Sequence, residues 1–456
     1  ALRICEPAMG SAAFLNEAVS QLADLYLEYM QRARNERIPQ DQYPREKQRV
    51  KMFLADNCVF GVDLNPVAVE LAEVSLWLNA LSEDRFIPWF GFQLRCGNSL
   101  IGARRQTYAR ERLSRKPKDP EAWIHHAPQA LPLREARPAG RIWHFLVPDP
   151  GMADYADKEV KALYPARIKA IGEWRKAFCK PFSAEDIRRL ELLSAKVEAL
   201  WQEHATTLAD FRARATDPYG VYGRPAEGRA TELSFKDQLQ AQSDWAGEVT
   251  NASAYRRLKL AMDYGCALWF WPIDRCDDLP DRETWFFDLE NLLLGDTTNA
   301  IRVAEPAVAF GEPRRLFPEE ATRPSRQSFT DRFGVVDLDR LKKASPRFPV
   351  VEEVAQHQRF FHWELEFADI FRENGGFDLT LGNPPWLKVE WNSGAVLGDF
   401  EPRYVIRKFS APELAKLRDE TFARVAGLEE AWRGEFEESE GTQNFLNALC
   451  NYPLLK

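Results

Sequence analysis

The sequence predicts an α/β fold in which a parallel sheet is interrupted by a large, mainly helical insertion. Two observations predict it: strand-like and helix-like segments alternate over the first hundred residues, and one more strand-like run appears only near residue 380. Such alternation is typical of parallel sheets with helical crossovers. We predict a first half of the core over residues 1–102, an inserted region over 103–356 and a second half of the core over 357–456.

The first strand-like run leads through a glycine turn into a helix. In LRICEPAMGSAAFL the turn falls around Gly10, and apolar residues then recur from Leu15 to Met30 at helical spacing. The turn therefore lies at a helix N-terminus, where free backbone N–H groups can meet a ligand.

Two further strands are predicted, one from Cys58 to Leu64 and one at FQLRCGN. The first of these ends at Asn65-Pro66, which suits an N-cap followed by a proline at the first helical position. The helix that follows carries one apolar stripe. The stripe consists of Val67, Leu71, Val74, Leu78 and Leu81.

After Gly102 the alternation stops for about 250 residues. Ser183 to Thr216 is predicted to be one long helix, and Ala153 to Lys180 its antiparallel partner in a helical hairpin. Glycines and prolines predict a loop over Asp217 to Gly228 and a mostly irregular segment over Glu305 to Pro349.

The sheet is predicted to resume towards the end of the chain. A helix from about His357 to Glu373 ends at Gly375-Gly376, and apolar residues then alternate from Phe377 to Leu381 as in a strand. Gly-Asn-Pro-Pro-Trp stops that strand, because proline fixes its φ and has no N–H. The chain starts inside its first strand and ends 70 residues after Trp386, so we expect it to be part of a longer protein.

Composition excludes several classes of protein. A chain of 456 residues with 45% hydrophobic residues suits a globular protein, and no apolar run approaches the roughly 20 residues that span a bilayer. Seven cysteines without a CxxC pair favour a reducing compartment and argue against structural zinc, so we expect a cytoplasmic protein with no metal. The net charge of −8 argues against a generally nucleic-acid-binding surface, although Arg104 to Lys118 is locally basic.

Ligand-binding residues are expected at the strand ends, because open α/β sheets bind ligands outside the carboxyl ends of their strands. These ends carry EPAMGS, DLNP, CGNS and NPPW. Asp63 is placed to accept from ribose hydroxyls, but it follows Gly10 by 53 positions and no G-x-G-x-x-G is present. The sequence therefore does not predict an NAD site.

These four motifs resemble those of the amino-methylating DNA methyltransferases, which have a Rossmann-like sheet and use S-adenosylmethionine. EPAMGSAAFL resembles the first motif, usually D/E-P-A-C-G-S-G-x-F-L, VFGVDLNP the second, CGNSL the third, and NPPW the catalytic N/D-P-P-Y/F/W. The resemblance implies that the first motif holds the methionine end of the cofactor, the second its ribose and the third its adenine. The implied cofactor-binding residues are Glu6, Pro7, Ala8, Met9, Gly10, Ser11, Ala12, Phe14, Asp63, Leu64, Asn98 and Ser99.

The resemblance also implies four catalytic residues, Asn383, Pro384, Pro385 and Trp386. The Asn383 amide oxygen and the Pro384 carbonyl would accept the two hydrogens of an amine. Both acceptors would bind the amine more strongly as its nitrogen gains positive charge. Pro385 would keep the acceptors rigid, and Trp386 would stack on an extruded base.

Three positions depart from the motifs of the family that the sequence resembles. Ala12 stands where a second glycine is usual, Met9 where a cysteine is usual, and Asn98 where an aspartate is common. We expect Ala12 and Met9 to tighten the cofactor loop and weaken cofactor binding, and Asn98 to make a weaker or differently oriented contact. These departures should affect cofactor affinity more than the reaction.

In the family that the sequence resembles, cytosine-directed enzymes usually carry serine at the first position of the catalytic motif. Asn383 therefore favours adenine N6 as the methylated atom. FHWELEFADIFRENGGFDLTLGNPPW and GTQNFLNALCNYPLL resemble the large bacterial adenine methyltransferases of restriction and phage-defence systems, among them restriction-methylase fusions and the BREX and DISARM methylases, with DISARM preferred. This implies double-stranded DNA with a flipped adenine as substrate, other defence-system subunits as partners, and target recognition in a C-terminal part outside this chain. Weak DNA contacts are expected from Arg104, Arg105 and Arg112, directly after the third motif.

Other functions stay open at this point. Ala12 in the cofactor loop suits a DNA- or cofactor-recognition subunit without turnover. The NPP-aromatic motif also occurs in methyltransferases that act on RNA or on protein glutamine. A nuclease in the same chain has no convincing cluster of carboxylates and lysine to support it.

Overall fold

The computed structural model describes residues 2–81, 87–226, 228, 230–242, 253–295, 329–330, 336–384, 389–407 and 409–455. Two of the predicted catalytic residues, Pro385 and Trp386, lie outside the described residues, as do residues 305–328 and 331–335 of the segment predicted to be irregular.

Four parallel strands form the sheet that carries the predicted motifs. The strands of the chain are β1 (Ile4–Glu6), β2 (Val59–Asp63), β3 (Leu94–Cys96), β4 (Gln106–Ala109), β5 (Gln129–Ala130), β6 (Arg141–Trp143) and β7 (Leu379–Thr380). The parallel sheet has the order β3–β2–β1–β7, and β5–β4–β6 form a separate antiparallel sheet. β1 and nearly all of β2 are buried, as expected of parallel strands covered on both faces.

Helices make up most of the remaining described chain. They are α1 (Ala13–Arg34), α2 (Tyr43–Asn57), α3 (Pro66–Ala80), α4 (Arg110–Leu113), α5 (Lys158–Leu163), α6 (Pro165–Phe178), α7 (Ala184–Ala215), α8 (Leu233–Gln242), α9 (Ala254–Ala267), α10 (Arg282–Leu293), α11 (Leu338–Ala344), α12 (Arg347–Gln358), α13 (Trp363–Glu366), α14 (Ala368–Asn374), α15 (Ser393–Gly398), α16 (Arg403–Ile406), α17 (Ala411–Arg424) and α18 (Leu428–Asn447). Short 3₁₀ turns lie at Trp123–His125, His144–Leu146, Ile273–Asp278 and Pro453–Leu455. An α/β fold with a parallel sheet and many helices is therefore confirmed.

The predicted start of α3 is confirmed, but its buried face is not the predicted stripe. The Asn65 side chain accepts a hydrogen bond from Val67 N at 3.0 Å, and Pro66 is the first helical residue. The predicted stripe residues are all about half exposed, whereas the helix buries Ala72, Leu76 and Ala80. Small side chains on that face let α3 approach α1, α2 and β3 closely, which the hydrophobic pattern could not indicate.

One of the two predicted long helices is present, and the predicted hairpin is wrong. α7 covers the predicted span and begins with a capping box between Ser183 and Asp186. The predicted partner is two helices, α5 and α6, because Pro165 starts a new helix. α7 packs mainly against α9, α10 and α14, while α6 packs on the 3₁₀ turn at Ile273–Asp278.

The segment before β7 also differs from the prediction. α11 and the first three residues of α12 lie in the described part of the stretch predicted to be irregular. The single helix predicted to follow is replaced by a left-handed residue, Arg359, and by the short helices α13 and α14. α14 ends at Gly375 with φ 81°, as predicted, and β7 follows. The predicted loop over 217–228 contains no helix or regular strand in its described residues.

Arg105, predicted to contact DNA, is instead part of the core. Its side chain is 1% exposed and forms an ion pair with Glu198 at 2.8 Å. Its guanidinium carbon lies 4.7 Å from the ring centroid of Trp143 and 5.0 Å from that of Trp201. A side chain enclosed by two tryptophans cannot reach a phosphate, so the prediction for Arg105 is wrong.

Replacement of Arg105 by alanine should destabilise the protein strongly. We expect the free energy of unfolding to fall by about 3 kcal/mol, because Glu198 would keep a largely buried charge without its partner. The matched control is Arg110→Ala, since Arg110 pairs with Glu111 and Glu191 at the surface and its loss should cost much less stability. Denaturant unfolding of both variants is the measurement, and equal losses would contradict the buried position of Arg105.

Candidate active site

The carboxyl ends of β1, β2, β3 and β7 meet at one edge of the parallel sheet. All neighbouring strands in this sheet run parallel, so the segments that follow them leave on the same side. These segments are the four predicted motifs. The sequence prediction that the motifs share one edge is therefore confirmed for their described residues.

The loop after β1 turns through two residues with a left-handed backbone conformation. Gly10 has φ 52° and Ala12 has φ 62°, both left-handed, and the N-cap Ala12 offers no side-chain cap to α1. Met9 N donates to Val62 O at 3.0 Å, which fixes the loop on β2. A Cβ at Gly10 would meet no atom within 4 Å, so the space above this glycine is open to a ligand.

Asp63 joins this loop to the segment after β2. Its Oδ2 accepts from Gly10 N at 2.8 Å, and its Oδ1 accepts from Asn65 N at 2.8 Å. Each carboxylate oxygen has a further lone pair, so these bonds leave room for hydroxyl donors. The role of Asp63 as a ribose ligand stays a prediction.

Glu6, at the end of β1, is a buried carboxylate with an unused acceptor. Its side chain is almost fully enclosed, and Oε2 has no hydrogen-bond partner among the described residues. Burial raises the pKa of Glu6 to about 7, and the nearby charge of Asp63 adds to the rise. A buried acceptor of this kind suits a cationic donor such as an ammonium group.

The other predicted residues of the first motif differ in burial: some side chains pack on the sheet, and others are partly or fully exposed. Met9 and Ala12 are buried, and Met9 Sδ lies where a Cβ on Gly61 would be. Pro7 and Ala8 are half-buried, and Ser11 is exposed. Met9 therefore packs on the sheet and does not point towards the open side of the loop.

Three apolar side chains near the strand ends are about half exposed. Phe14 is 49% exposed, Leu64 52% and Leu100 54%. Apolar surface of this kind costs free energy in water and is suited to cover a flat ring such as a purine.

The loop after β3 is held by contacts of its own and by the segment that follows α12. Asn98 Oδ1 accepts from Leu100 N at 3.1 Å, which closes a turn. Ser99 O accepts from the indole N–H of Trp363 at 3.0 Å, and Asn98 N donates to Arg359 O at 2.7 Å. Sequence reasoning missed Arg359 and Trp363; Trp363 lies in the FHWELEF phrase, whereas nothing local in the sequence marks Arg359.

Asn383 and Pro384 follow β7 and are exposed. Leu381 N donates to Cys5 O at 3.0 Å, so the strand pairing continues up to this point. A Cβ at Gly382 would lie 3.4 Å from Glu6 Cγ. Gly382, directly before Asn383, therefore lies beside the side chain of Glu6, the residue that ends β1.

The far side of the catalytic segment is attached to α18. The ring of Trp391 lies 5.3 Å from that of Trp432 and 5.3 Å from that of Phe436, and Trp432 Nε1 donates to Ser393 Oγ at 3.1 Å. In the sequence, Pro385 and Trp386 fall between β7 and Trp391, and both are outside the described residues.

Two of the three arginines predicted to contact DNA are partly accessible. Arg104 is half-buried, and its guanidinium carbon lies 4.8 Å from the ring centroid of Tyr452. Arg112 forms an ion pair with Glu121 at 3.4 Å. The basic run is folded into β4 and α4, and contact of Arg104 and Arg112 with DNA stays a prediction.

The described residues contain no group of three or more His, Cys, Asp or Glu side chains that could hold a metal ion. Across the same ranges, no helix is both long enough and apolar enough to cross a membrane.

A family model described as "Eco57I restriction-modification methylase" matches residues 57–410, which contain the second, third and catalytic motifs. A Methanocaldococcus jannaschii protein, described as a type II restriction enzyme and methyltransferase, is 32% identical over 110 residues. That match covers 22% of this chain and only 9% of the relative. No solved structure matches the chain. Because the family model covers well over half of it, the chain belongs to the Eco57I restriction-modification methylase family.

Proposed function

We propose that this chain transfers a methyl group from S-adenosylmethionine to N6 of adenine in double-stranded DNA. The observation that carries the proposal is that Gly382, which leads into Asn383, lies beside the buried side chain of Glu6 at the sheet edge. This arrangement would place the ammonium group of the cofactor, at Glu6, near the exposed acceptors of Asn383 and Pro384. The order β3–β2–β1–β7 supports a Rossmann-like sheet, because it reproduces the first four strands of doubly wound folds.

The residues at the sheet edge fit the cofactor. Glu6 Oε2 would accept from the ammonium of its methionine end, and the open backbone at Gly10 would let that end approach closely. Asp63 would accept from the ribose hydroxyls, while Leu64 and Leu100 would cover the adenine ring. When bound, S-adenosylmethionine supplies an electrophilic methyl group on a sulfonium leaving group.

Asn383 and Pro384 would act on the amine that receives the methyl group. An exocyclic amine is a poor nucleophile because its lone pair is delocalised into the ring. The Asn383 amide oxygen and the Pro384 carbonyl accept its hydrogens, and both bonds strengthen as the nitrogen becomes tetrahedral and positive. Pairing with β1 holds the segment that leads into these acceptors, which favours the transition state over the ground state.

DNA is favoured over RNA and protein glutamine as the substrate. The family is described as restriction-modification methylases, and the archaeal relative is described as a restriction enzyme and methyltransferase. We therefore propose that the protein marks host DNA as self, in the cytoplasm, within a restriction or phage-defence system. Assignment to BREX or DISARM, and partner subunits from such a system, stay predictions.

A recognition subunit without turnover is the second candidate. Its support from the sequence was Ala12, yet Ala12 adopts the left-handed conformation that glycine would adopt there. The loop keeps its open shape, which favours a functional cofactor site.

Asn383→Ala and Asp63→Ala should separate catalysis from cofactor binding. We expect Asn383→Ala to lower kcat roughly 100- to 1,000-fold with little change in cofactor affinity, because it removes an acceptor that acts mainly in the transition state. Asp63→Ala should instead weaken cofactor binding about tenfold or more, since charged hydrogen bonds are lost. Mass spectrometry of nucleosides from treated unmethylated DNA measures transfer, and calorimetry measures cofactor binding.

Asn35→Gly is the matched control for this pair. Asn35 is exposed at the end of α1 and has φ 51°, so glycine fits its backbone and neither measurement should change. Substantial N6-methyladenine formation by the Asn383→Ala variant would refute the assigned role. No methylated nucleoside with wild-type protein that binds the cofactor would favour a recognition subunit.

Cofactor affinity should rise with pH around neutrality. The pKa of Glu6 is raised to about 7, and only the ionised carboxylate attracts an ammonium group. Affinity for S-adenosylhomocysteine should therefore increase up to about tenfold from pH 6 to pH 7.5, before the amine of the ligand itself begins to lose its proton. Calorimetry over this range is the measurement. Glu6→Gln should flatten the rise, whereas the exposed Glu17→Gln should keep it; parallel slopes for the two variants would count against Glu6 as the ammonium site.

A further inference from the structure

Arg359 lies between the helical region, meaning the helices that separate β3 from β7 in the chain, and the loop of the third motif, which is predicted to contact the adenine of the cofactor. It follows the last residue of α12 with φ 53° and ψ 50°, the left-handed conformation that few side chains other than Asn, Asp and Gly adopt readily. Since this backbone shape costs free energy, the contacts that it permits must be favourable enough to maintain it.

The backbone after α12 pairs with the loop that follows β3. Arg359 O accepts from Asn98 N at 2.7 Å, Phe360 pairs with Asn98 in a parallel bridge, and Phe361 N donates to Ile101 O at 2.8 Å. A Cβ at Gly102 would lie 1.9 Å from Phe361 O, so the two segments are in direct contact. The loop of the third motif is thereby fixed between β3 and the segment that follows α12.

The side chain of Arg359 reaches back across the ends of two strands. Its Nη1 donates to Leu64 O and lies 3.7 Å from Cys96 Sγ. Leu64 directly follows Asp63, and Cys96 ends β3. One residue therefore connects the second motif to the third, through its side chain at the former and its main chain at the latter.

The guanidinium retains unused donors on its open side. Among the described residues, its hydrogen bonds involve Nη1 alone, and the residue is only half-buried. Arg359 also borders a cleft of about 840 Å³ between β3, α9 and α12. Arg359 thus lies between this cleft and the ends of β2 and β3, where a ligand can reach it.

We propose that Arg359 is a positioning residue for the adenosine half of the cofactor. It holds the Leu64 carbonyl and the Asn98 loop at a fixed separation, so that the walls predicted for ribose and adenine are formed before the ligand arrives. An arginine suits this task because its rigid, planar guanidinium can donate to Leu64 O through Nη1 in a fixed orientation, whereas a lysine ammonium has no such fixed geometry. This inference rests on the proposed function, because it assumes that S-adenosylmethionine binds at the sheet edge.

The inference links the helical region to cofactor binding. α12 packs against α9, so the orientation of Arg359 depends on the helices that separate the third and fourth strands of the sheet. Cofactor binding should in turn slow hydrogen exchange at Asn98 N and Phe361 N, because both bonds lie in the wall that the ligand would cover.

Two substitutions at Arg359 test the proposal. Arg359→Gly removes the side chain and fits the left-handed backbone, so the fold should be retained. We expect it to raise the Kd for S-adenosylhomocysteine about tenfold in calorimetry, with kcat at saturating cofactor within about twofold of wild type. Arg359→Lys should give a smaller rise in Kd, since it keeps the charge but loses the fork.

Arg256→Ala is the matched control, because Arg256 borders the same cleft without contact to either motif. Its Kd should equal that of wild type. An unchanged Kd in folded Arg359→Gly, or an equal loss in Arg256→Ala, would overturn the proposal. Cofactor binding by wild type without methyl transfer would overturn the proposed function alone, whereas no cofactor binding at all would overturn both.

Discussion

The site depends on the pairing of β1 with β7, two strands that lie more than 370 residues apart in the chain. Parallel strands need a crossover connection, and here that crossover contains the whole helical region. Ile4 pairs with Leu379, and the main-chain N of Arg3 donates to the Asp378 carboxylate at 2.7 Å. Closing so long a loop costs conformational entropy, which the two-residue strand β7 alone could not offset. The core of the helical region must supply the remaining stabilisation.

The helical region therefore contributes to the site as well as to stability. α18 and the helices between β3 and β7 share one apolar core, which contains buried Trp143, Trp201, Trp285 and Trp432. Trp432 also contacts Trp391, just after the catalytic segment. The segment after α12 fixes the loop of the third motif on the other side of the sheet. Movement of this core relative to the sheet would alter both the position of Trp391 and the loop of the third motif.

Sequence alone predicted the features that a few neighbouring residues determine. Asn65 caps α3, Ser183 begins α7 with a capping box, and Gly375 ends α14 with a positive φ, because each depends on the chemistry of one short segment. The four motifs could be placed at one sheet edge because parallel strands impose it. The partner of α7 and the buried face of α3 depend on distant packing. Arg105 shows the same limit: its sequence neighbours are basic, and only the fold places it between two tryptophans.

The departures of the first motif from the usual pattern can be understood from the same packing. Met9 fills the space above Gly61, so its larger side chain lies against the sheet and leaves the open side of the loop free. Ala12 accepts a left-handed backbone at a cost of roughly 1–2 kcal/mol, and its methyl group is fully buried. Alanine has less conformational freedom than glycine in the unfolded chain, which offsets part of that cost. A loop held in this way loses less entropy when a ligand binds, so these two residues favour a preformed cofactor site over a weakened one.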